Sequence, residues 1–431
     1  MNKLSWWDSW LEKKKKYTKC DSVFMDEDLF DSITVSTGLP PIYQQSNFSF
    51  RNVADGADRF IGKVKNNEKP YARIYTRLGN PNTEYLERIL FRLECHHIIE
   101  NALAAHEPKP TIGVLVTSSG MGAISVCLIT LLNTGDELIC GAVYNCTEAL
   151  LRNFEKKYQI HTHFIDTTQL DLVQSTLEKN PKIKGIFIES PVNPTLVVND
   201  ISALSQLAEK FRIPLIVDNT FCSPYIQQPF RLGADIVIHS LTKYINGHST
   251  SIGGALLGPW NFMQEAFTFY KDIGVTPSPF DSWLTGSNVQ DLGIRVRKAV
   301  ENAEKIVQFL MKHPRVRKVY YPFLGKQEVI ARKQMRSGGA IISFEIENGL
   351  KAGVRLMDYF ALHSTPMKLA VSLGCVISYI QHPASMTHAE MAPEVRHQMG
   401  ISDDLIRLSV GIEGVSILIH ALEEGLKLAY D

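Results

Sequence analysis

The stretch Ala234-Asp-Ile-Val-Ile-His-Ser-Leu-Thr-Lys-Tyr-Ile-Asn-Gly-His248 decides how this chain is read. Ala234 to Ile238 is an apolar run of strand length, and Lys243 follows close behind it. A lysine at the end of a core strand is costly unless something uses its amine. Ser240 and Thr242 stand at minus three and minus one, and Gly247 marks a turn just after. Hydroxyls so placed can bind a phosphate while the amine bonds to a carbon beside it. That is the layout of a pyridoxal 5′-phosphate (PLP) site, in which a lysine joins covalently to the cofactor's aldehyde. The competing reading is a surface lysine at a strand end.

Upstream, Ile213-Pro-Leu-Ile-Val-Asp-Asn-Thr-Phe221 reads as a second buried strand ending at Asp218. A PLP enzyme needs a carboxylate against the pyridine nitrogen, so that the protonated ring accepts electrons. Taken alone, Asp218 is a helix N-cap or turn residue, both common for Asp after a strand. Asp218 and Lys243 together, 25 residues apart in an alternating strand–helix region, would both face the ligand crevice of an open α/β sheet.

That alternation runs from about residue 80 to 293. Strand candidates are 113–117, 137–140, 163–165, 185–188, 214–217 and 236–239, with helical stretches at 121–132 and 204–211 between them. This pattern argues a mostly parallel sheet covered on both faces. Pro277-Ser-Pro279 marks a boundary, and one long helical segment, 281–313, is predicted beyond it. Strands at 340–346, 369–372 and 405–410 beside a helix at 415–429 predict a smaller C-terminal α/β domain. The expected division is an N-terminal extension and arm over 1–79, a large cofactor-binding domain over 80–293 and a C-terminal domain over 294–431. Residues 96–112 read as an insertion, because Glu107-Pro-Lys-Pro110 breaks any helix there.

Composition narrows the class. The chain has 431 residues, 45% hydrophobic and 21% charged, enough for more than one core. Its formal net charge is zero, so no global field recruits nucleic acid or membrane. Seven cysteines, with no C-x-x-C pair, point to a reducing, cytoplasmic compartment rather than a disulfide scaffold. No apolar run reaches the roughly 18 residues a spanning helix needs. Trp6, Trp7 and Trp10 precede Lys13 to Lys16, with Leu4, Trp7 and Leu11 on one helical face. We expect this amphipathic segment to dock on its own protein or a partner subunit rather than on a membrane.

Ser119-Gly120-Met121-Gly122 joins a strand to a helix, whose first N–H groups can hold a phosphate. The third glycine of the dinucleotide fingerprint is missing, which argues against a nicotinamide enzyme. The histidines of His382–His388 lack any metal-ligand spacing, so this stretch reads as a structural loop and no metal is expected.

Val237-Ile-His-Ser-Leu-Thr-Lys-Tyr-Ile-Asn-Gly-His248 resembles the signature of the PLP enzymes of cysteine and methionine metabolism, the cystathionine γ-synthase and γ-lyase type. Four further matches follow the family order. They are Tyr75-Thr-Arg77-Leu-Gly-Asn80-Pro81, Ser119–Gly122, Glu189-Ser-Pro-Val-Asn193-Pro194, and His382–His388 followed by Ile406-Arg407-Leu-Ser-Val-Gly-Ile-Glu413. The resemblance runs from about residue 35 to the C-terminus. It implies the PLP-dependent transferase fold type I and a small amino-acid substrate. It also implies a homodimer of dimers in which an arm carries Tyr75 and Arg77 into the neighbouring subunit's site. Gly120, Met121, Ser240 and Thr242 would bind the cofactor phosphate with that pair. Asn193 would bond the PLP 3′ oxygen, and Ser372 and Arg407 the substrate α-carboxylate. Tyr144 would stack on the pyridine ring and protonate a leaving group at the γ-carbon.

Within the family, Tyr144-Asn-Cys-Thr147 and Lys271-Asp272 are similar to the methionine γ-lyase subgroup, with Cys146 and Lys271 as substrate-binding candidates. Plainer readings are a small buried filler for Cys146 and a solvated surface pair for Lys271-Asp272. The chain departs from the family at Asn145 (usually Gly), Ile377 (usually polar), Asn82 (commonly Thr) and Ser287-Asn-Val-Gln-Asp-Leu292, which loses two cations. The expected activity is γ-elimination from a sulfur amino acid. The alternatives are γ-replacement on an activated homoserine, as in cystathionine or homocysteine synthesis, and a non-catalytic scaffold with a decayed site.

Overall fold

The computed structural model describes residues 39–61, 74–104, 112–389, 392–398 and 400–430; the Trp/Lys-rich segment lies outside them. Seven strands form the larger sheet, in the order β1-β7-β6-β5-β4-β2-β3. They are β1 (Ile112–Thr117), β2 (Glu137–Cys140), β3 (His161–Phe164), β4 (Ile183–Glu189), β5 (Leu215–Asp218), β6 (Ile236–Ser240) and β7 (Gly254–Pro259). From β6 to β3 every pairing is parallel, while β7 runs antiparallel to both β6 and β1. β4, β5 and β6 are near-continuous apolar runs, buried almost throughout, as strands covered on both faces must be.

β7 was not anticipated. Its first glycine serves close approach: a Cβ at Gly254 would lie 2.2 Å from the Ser119 carbonyl oxygen. The strand thereby seats the Ser119 turn at the carboxyl edge of the sheet.

Five further strands form a second sheet in the order β10-β11-β12-β9-β8. They are β8 (Val316–Tyr320), β9 (Ile341–Ile346), β10 (Lys368–Leu369), β11 (Tyr379–Gln381) and β12 (Leu405–Ser409). The predicted strand over 369–372 is thus only a short β10, because Ser372 adopts φ +88° and leaves extended geometry. The helix expected over 281–313 is two helices, Pro279–Asn288 and Leu292–Leu310, parted by a single 3₁₀ turn at Val289–Asp291. The helix Pro81–Ala104 runs well into the stretch read as an insertion; Glu107-Pro-Lys-Pro110 lies outside the described residues. Among the described residues, no helix is long and apolar enough to cross a membrane.

The two sheets are tied by buried amides. Gln334 donates to Asn199 O at 2.9 Å, and Gln327 to Leu196 O at 3.0 Å. The carboxyl ends of β4, β5 and β6 therefore face residues of the second sheet across a fixed gap.

Candidate active site

A cavity of about 340 Å³ fills that gap, within the size range of small-molecule sites. Lys243 lies in it, three residues past the end of β6. The turn holding it is braced from behind. Arg295, 5% exposed, donates to Tyr244 O at 2.9 Å, Ile245 O at 3.4 Å and Asn288 O at 3.0 Å, and to Asp291 at 2.5 Å. Gly247 makes room for this guanidinium, since a Cβ there would fall 1.7 Å from Arg295 Nη1. The departure at 287–292 thus places a carboxylate, Asp291, where it holds the brace.

Lys243 Nζ donates to Ser372 Oγ at 2.8 Å. Gly374, with φ +73°, brings the Ser372 loop against the lysine turn; a Cβ there would lie 2.6 Å from Tyr244 N. Ser372 itself holds a left-handed conformation unusual for a non-glycine, and strain of this kind gathers at functional sites. Burial, and then the Arg407 charge, lower the Lys243 amine to about 8.

At one end of the cavity the helix Gly120–Leu131 begins. Ser119 caps it, its Oγ accepting from Gly122 N at 3.0 Å. The first N–H groups of a helix, here those of Gly120 and Met121, have no intrahelical acceptor. A Cβ on Gly120 would lie 2.9 Å from Ser240 Cβ, so only glycine lets this helix start sit against the Ser240 side chain. Ser240 N is fixed by Thr220 Oγ1 at 2.8 Å, and Thr242 bonds across to Gly253. Gly120, Met121, Ser240 and Thr242 all line the cavity.

Asp218 also lines it. Its Oδ1 accepts Thr220 N at 3.0 Å, so it makes the turn bond expected of such an Asp and faces the cavity as well. Burial raises its pKa, against the Thr220 hydrogen bonds. Tyr144 stands just before the helix Asn145–Tyr158. Burial, followed by Cys146, pushes its phenol up to about 12, so it holds its proton at neutral pH.

Opposite, Arg407 on β12 donates to Asn193 Oδ1 at 2.9 Å and to Ser372 O at 2.7 Å. Its Nε is buried without a partner. Burial lowers its pKa to about 10, which leaves it charged at neutral pH. A buried donor without an acceptor beside a cavity marks a place for an anionic group.

Lys243, Tyr144, Gly120, Met121, Asn193, Asp218, Ser240, Thr242, Ser372 and Arg407 thus come together. Four candidates do not line this chain's own cavity. Tyr75 is exposed, and the Arg77 guanidinium meets the Lys271 carbonyl. Lys271 Nζ pairs with Asp272 at 2.6 Å, and Cys146 is exposed rather than a buried filler. Cavity residues not singled out from sequence include Asn145, Glu189, Thr220, Gln381, Thr387 and His388. The His382–His388 loop, read as purely structural, therefore also contributes wall. His388 reaches it because Asn145 Nδ2 holds Thr387 O at 3.3 Å, while His382 is tied down by Ser385 and Asp403.

The site fits PLP on its own chemistry. It offers a half-buried lysine of lowered pKa, a glycine-cleared helix start beside hydroxyls, a half-buried carboxylate and an unsatisfied arginine donor. Comparison with known proteins agrees. The family model described as Cys/Met metabolism PLP-dependent enzyme matches residues 26–427. An L-methionine gamma-lyase of Fusobacterium nucleatum subsp. polymorphum is 42% identical over 393 residues, covering 90% of this chain and 93% of that protein. An O-succinylhomoserine sulfhydrylase of Pseudomonas aeruginosa is 33% identical, covering 94% and 98%. A crystal structure of cystathionine gamma synthase from Xanthomonas oryzae pv. oryzae, in complex with aminoacrylate and cysteine, superposes with TM-score 0.81. It has 35% sequence identity and coverage of 93% and 98%. This chain belongs to the Cys/Met metabolism family of PLP-dependent enzymes, of fold type I.

Proposed function

We propose that this chain catalyses γ-elimination from a sulfur amino acid, with methionine the leading substrate: methionine and water give 2-oxobutanoate, ammonia and methanethiol. One observation carries the reading. A lysine lowered to about 8, within reach of deprotonation, and a tyrosine that keeps its proton line the same cavity, which puts a base and a proton donor side by side. The methionine γ-lyases among the relatives support it. When bound, PLP supplies an electron sink for negative charge at the substrate α-carbon. Gly120, Met121, Ser240 and Thr242 would hold its phosphate, Asn193 its 3′ oxygen and Asp218 its pyridine nitrogen. Arg407 and Ser372 orient the substrate carboxylate, Lys243 takes and returns the α-carbon proton, and Tyr144 donates a proton to the departing sulfur. Val371 and Ile252, apolar residues of the cavity wall, suit a thioether.

The same reading takes Tyr75 and Arg77 to complete the phosphate site of a neighbouring subunit in a homodimer of dimers, with Cys146 and Lys271 shaping the substrate pocket. Their position outside their own cavity supports this, as do exposed Val53, Phe60 and Ile61 in the arm. We place the protein in the cytoplasm and keep domain limits at 79/80 and 293/294. The latter fit two sheets drawn from 112–259 and 316–409.

γ-Replacement on an activated homoserine is the second reading, favoured by one observation. Asn145, glycine in most of the family, puts a polar amide into the cavity wall. A paired incubation tests the choice: methionine alone, then an acylated homoserine with cysteine. Release of 2-oxobutanoate and methanethiol from methionine is the expected result. No release from methionine, with cystathionine formed in the second vessel, would replace elimination with synthesis.

A further inference from the structure

Glu189 ends β4 as Asp218 ends β5, and the two are direct partners across the strands. Glu189 is 5% exposed, and both carboxylates line the cavity. Glu189 Oε1 accepts the backbone N–H of Tyr144 at 2.6 Å, and the backbone N–H of Asn193 bonds to the same carboxyl. Tyr144 makes no side-chain cap bond to its own helix. Its backbone is therefore anchored from a neighbouring strand, by Glu189.

Two buried carboxyls this close disfavour each other's ionisation. Asp218 is the better equipped to stay charged. Thr220 bonds to it twice, and His239 on β6 lends it positive potential. Glu189 is held by backbone bonds alone, from Tyr144 and Asn193; the Cys140 thiol on β2 and the Tyr144 phenol near it are both pushed up, by burial first. Burial first, and Asp218 second, raise Glu189 to about 8.

We propose that Glu189 is a positioning residue that works uncharged, fixing the backbone of Tyr144 and leaving the negative charge at this end of the cavity to Asp218. The proposal rests on Tyr144 being the acid of the reaction. An uncharged carboxyl keeps its acceptor oxygen, so Glu189→Gln reproduces it in shape and charge, whereas Glu189→Ala removes the anchor.

The test uses both variants as PLP-loaded enzyme. The visible absorption spectrum of the bound cofactor is recorded from about pH 6 to about pH 7, without substrate, below the range in which Glu189 would itself ionise. Thiol release from methionine is then measured in the same range, alone and with Tyr144→Phe added. Glu189→Gln should leave the spectra in place and keep most of the rate. Glu189→Ala should keep the band but lose about 10²-fold in rate, and adding Tyr144→Phe should cost little more, as expected of coupled residues. A Glu189→Gln spectrum displaced from that of the unsubstituted enzyme in this range would show that Glu189 is charged. Equal rates for Gln and Ala would show that it does not position Tyr144. The substrate-free spectra stand even if methionine proves to be the wrong substrate.

Discussion

Water favours the charged form of Lys243 and nucleophilic attack needs the neutral one, and its surroundings shift the balance toward the second. Moving its pKa from 10.5 to about 8 gives roughly 300-fold more free amine at pH 7. The neutral form grows as pH rises through 8. Capture of PLP by apo-enzyme should therefore speed up about tenfold from pH 7 to well above pH 8, then level off; stopped-flow absorbance would show it. A rate still climbing near pH 10 would mean an ordinary lysine. Tyr144 is the converse case, a phenol that keeps its proton. Tyr144→Phe should lower elimination by about 10²–10⁴ while the affinity for a non-reactive substrate analogue barely changes. Equal losses in both would make Tyr144 structural. Lys243 and Asp218 stood out in the sequence through their places behind apolar runs, and Arg407 through the resemblance; the structure brings all three to one cavity. Glu189 was quoted in a motif yet given no part, because its place beside Asp218 is a matter of strand register, which appears only when β4 and β5 pair.

Strands β4, β5 and β6 were legible as elements because both their faces are buried, so the sequence shows unbroken apolar runs. β7 was not, since Gly254-Ala-Leu-Leu-Gly-Pro259 carries the punctuation of a loop; Gly254 answers instead to the Ser119 turn. The break at Val289–Asp291 escaped notice because helical periodicity continues on both sides of a single tight turn. Gly120 tests the helix start proposed to receive the phosphate. Gly120→Ala puts a methyl 2.9 Å from Ser240, an overpacking of about 1–3 kcal/mol. Cofactor affinity should fall about tenfold or more, read by equilibrium titration, with the far-ultraviolet spectrum unchanged. Unaltered affinity would remove the helix start from the phosphate site.

At the scale of the molecule, a single chain gathers ten of the fourteen residues expected at the site into one cavity. Tyr75 and Arg77 stay outside it, in the segment proposed above to serve a neighbouring subunit. Two inactive variants, Arg77→Ala and Lys243→Ala, should regain part of the activity when dissociated and reassembled together, because mixed dimers then hold one intact site. No recovery from verified mixed dimers would contradict a shared site.

Everything in this account turns on Lys243 as the residue that holds the cofactor. The PLP-loaded enzyme should be reduced with borohydride, digested and mapped by mass spectrometry. The account predicts one pyridoxyl-modified peptide, carrying its label on Lys243. A label on another lysine, or none on a fully loaded enzyme, would contradict it.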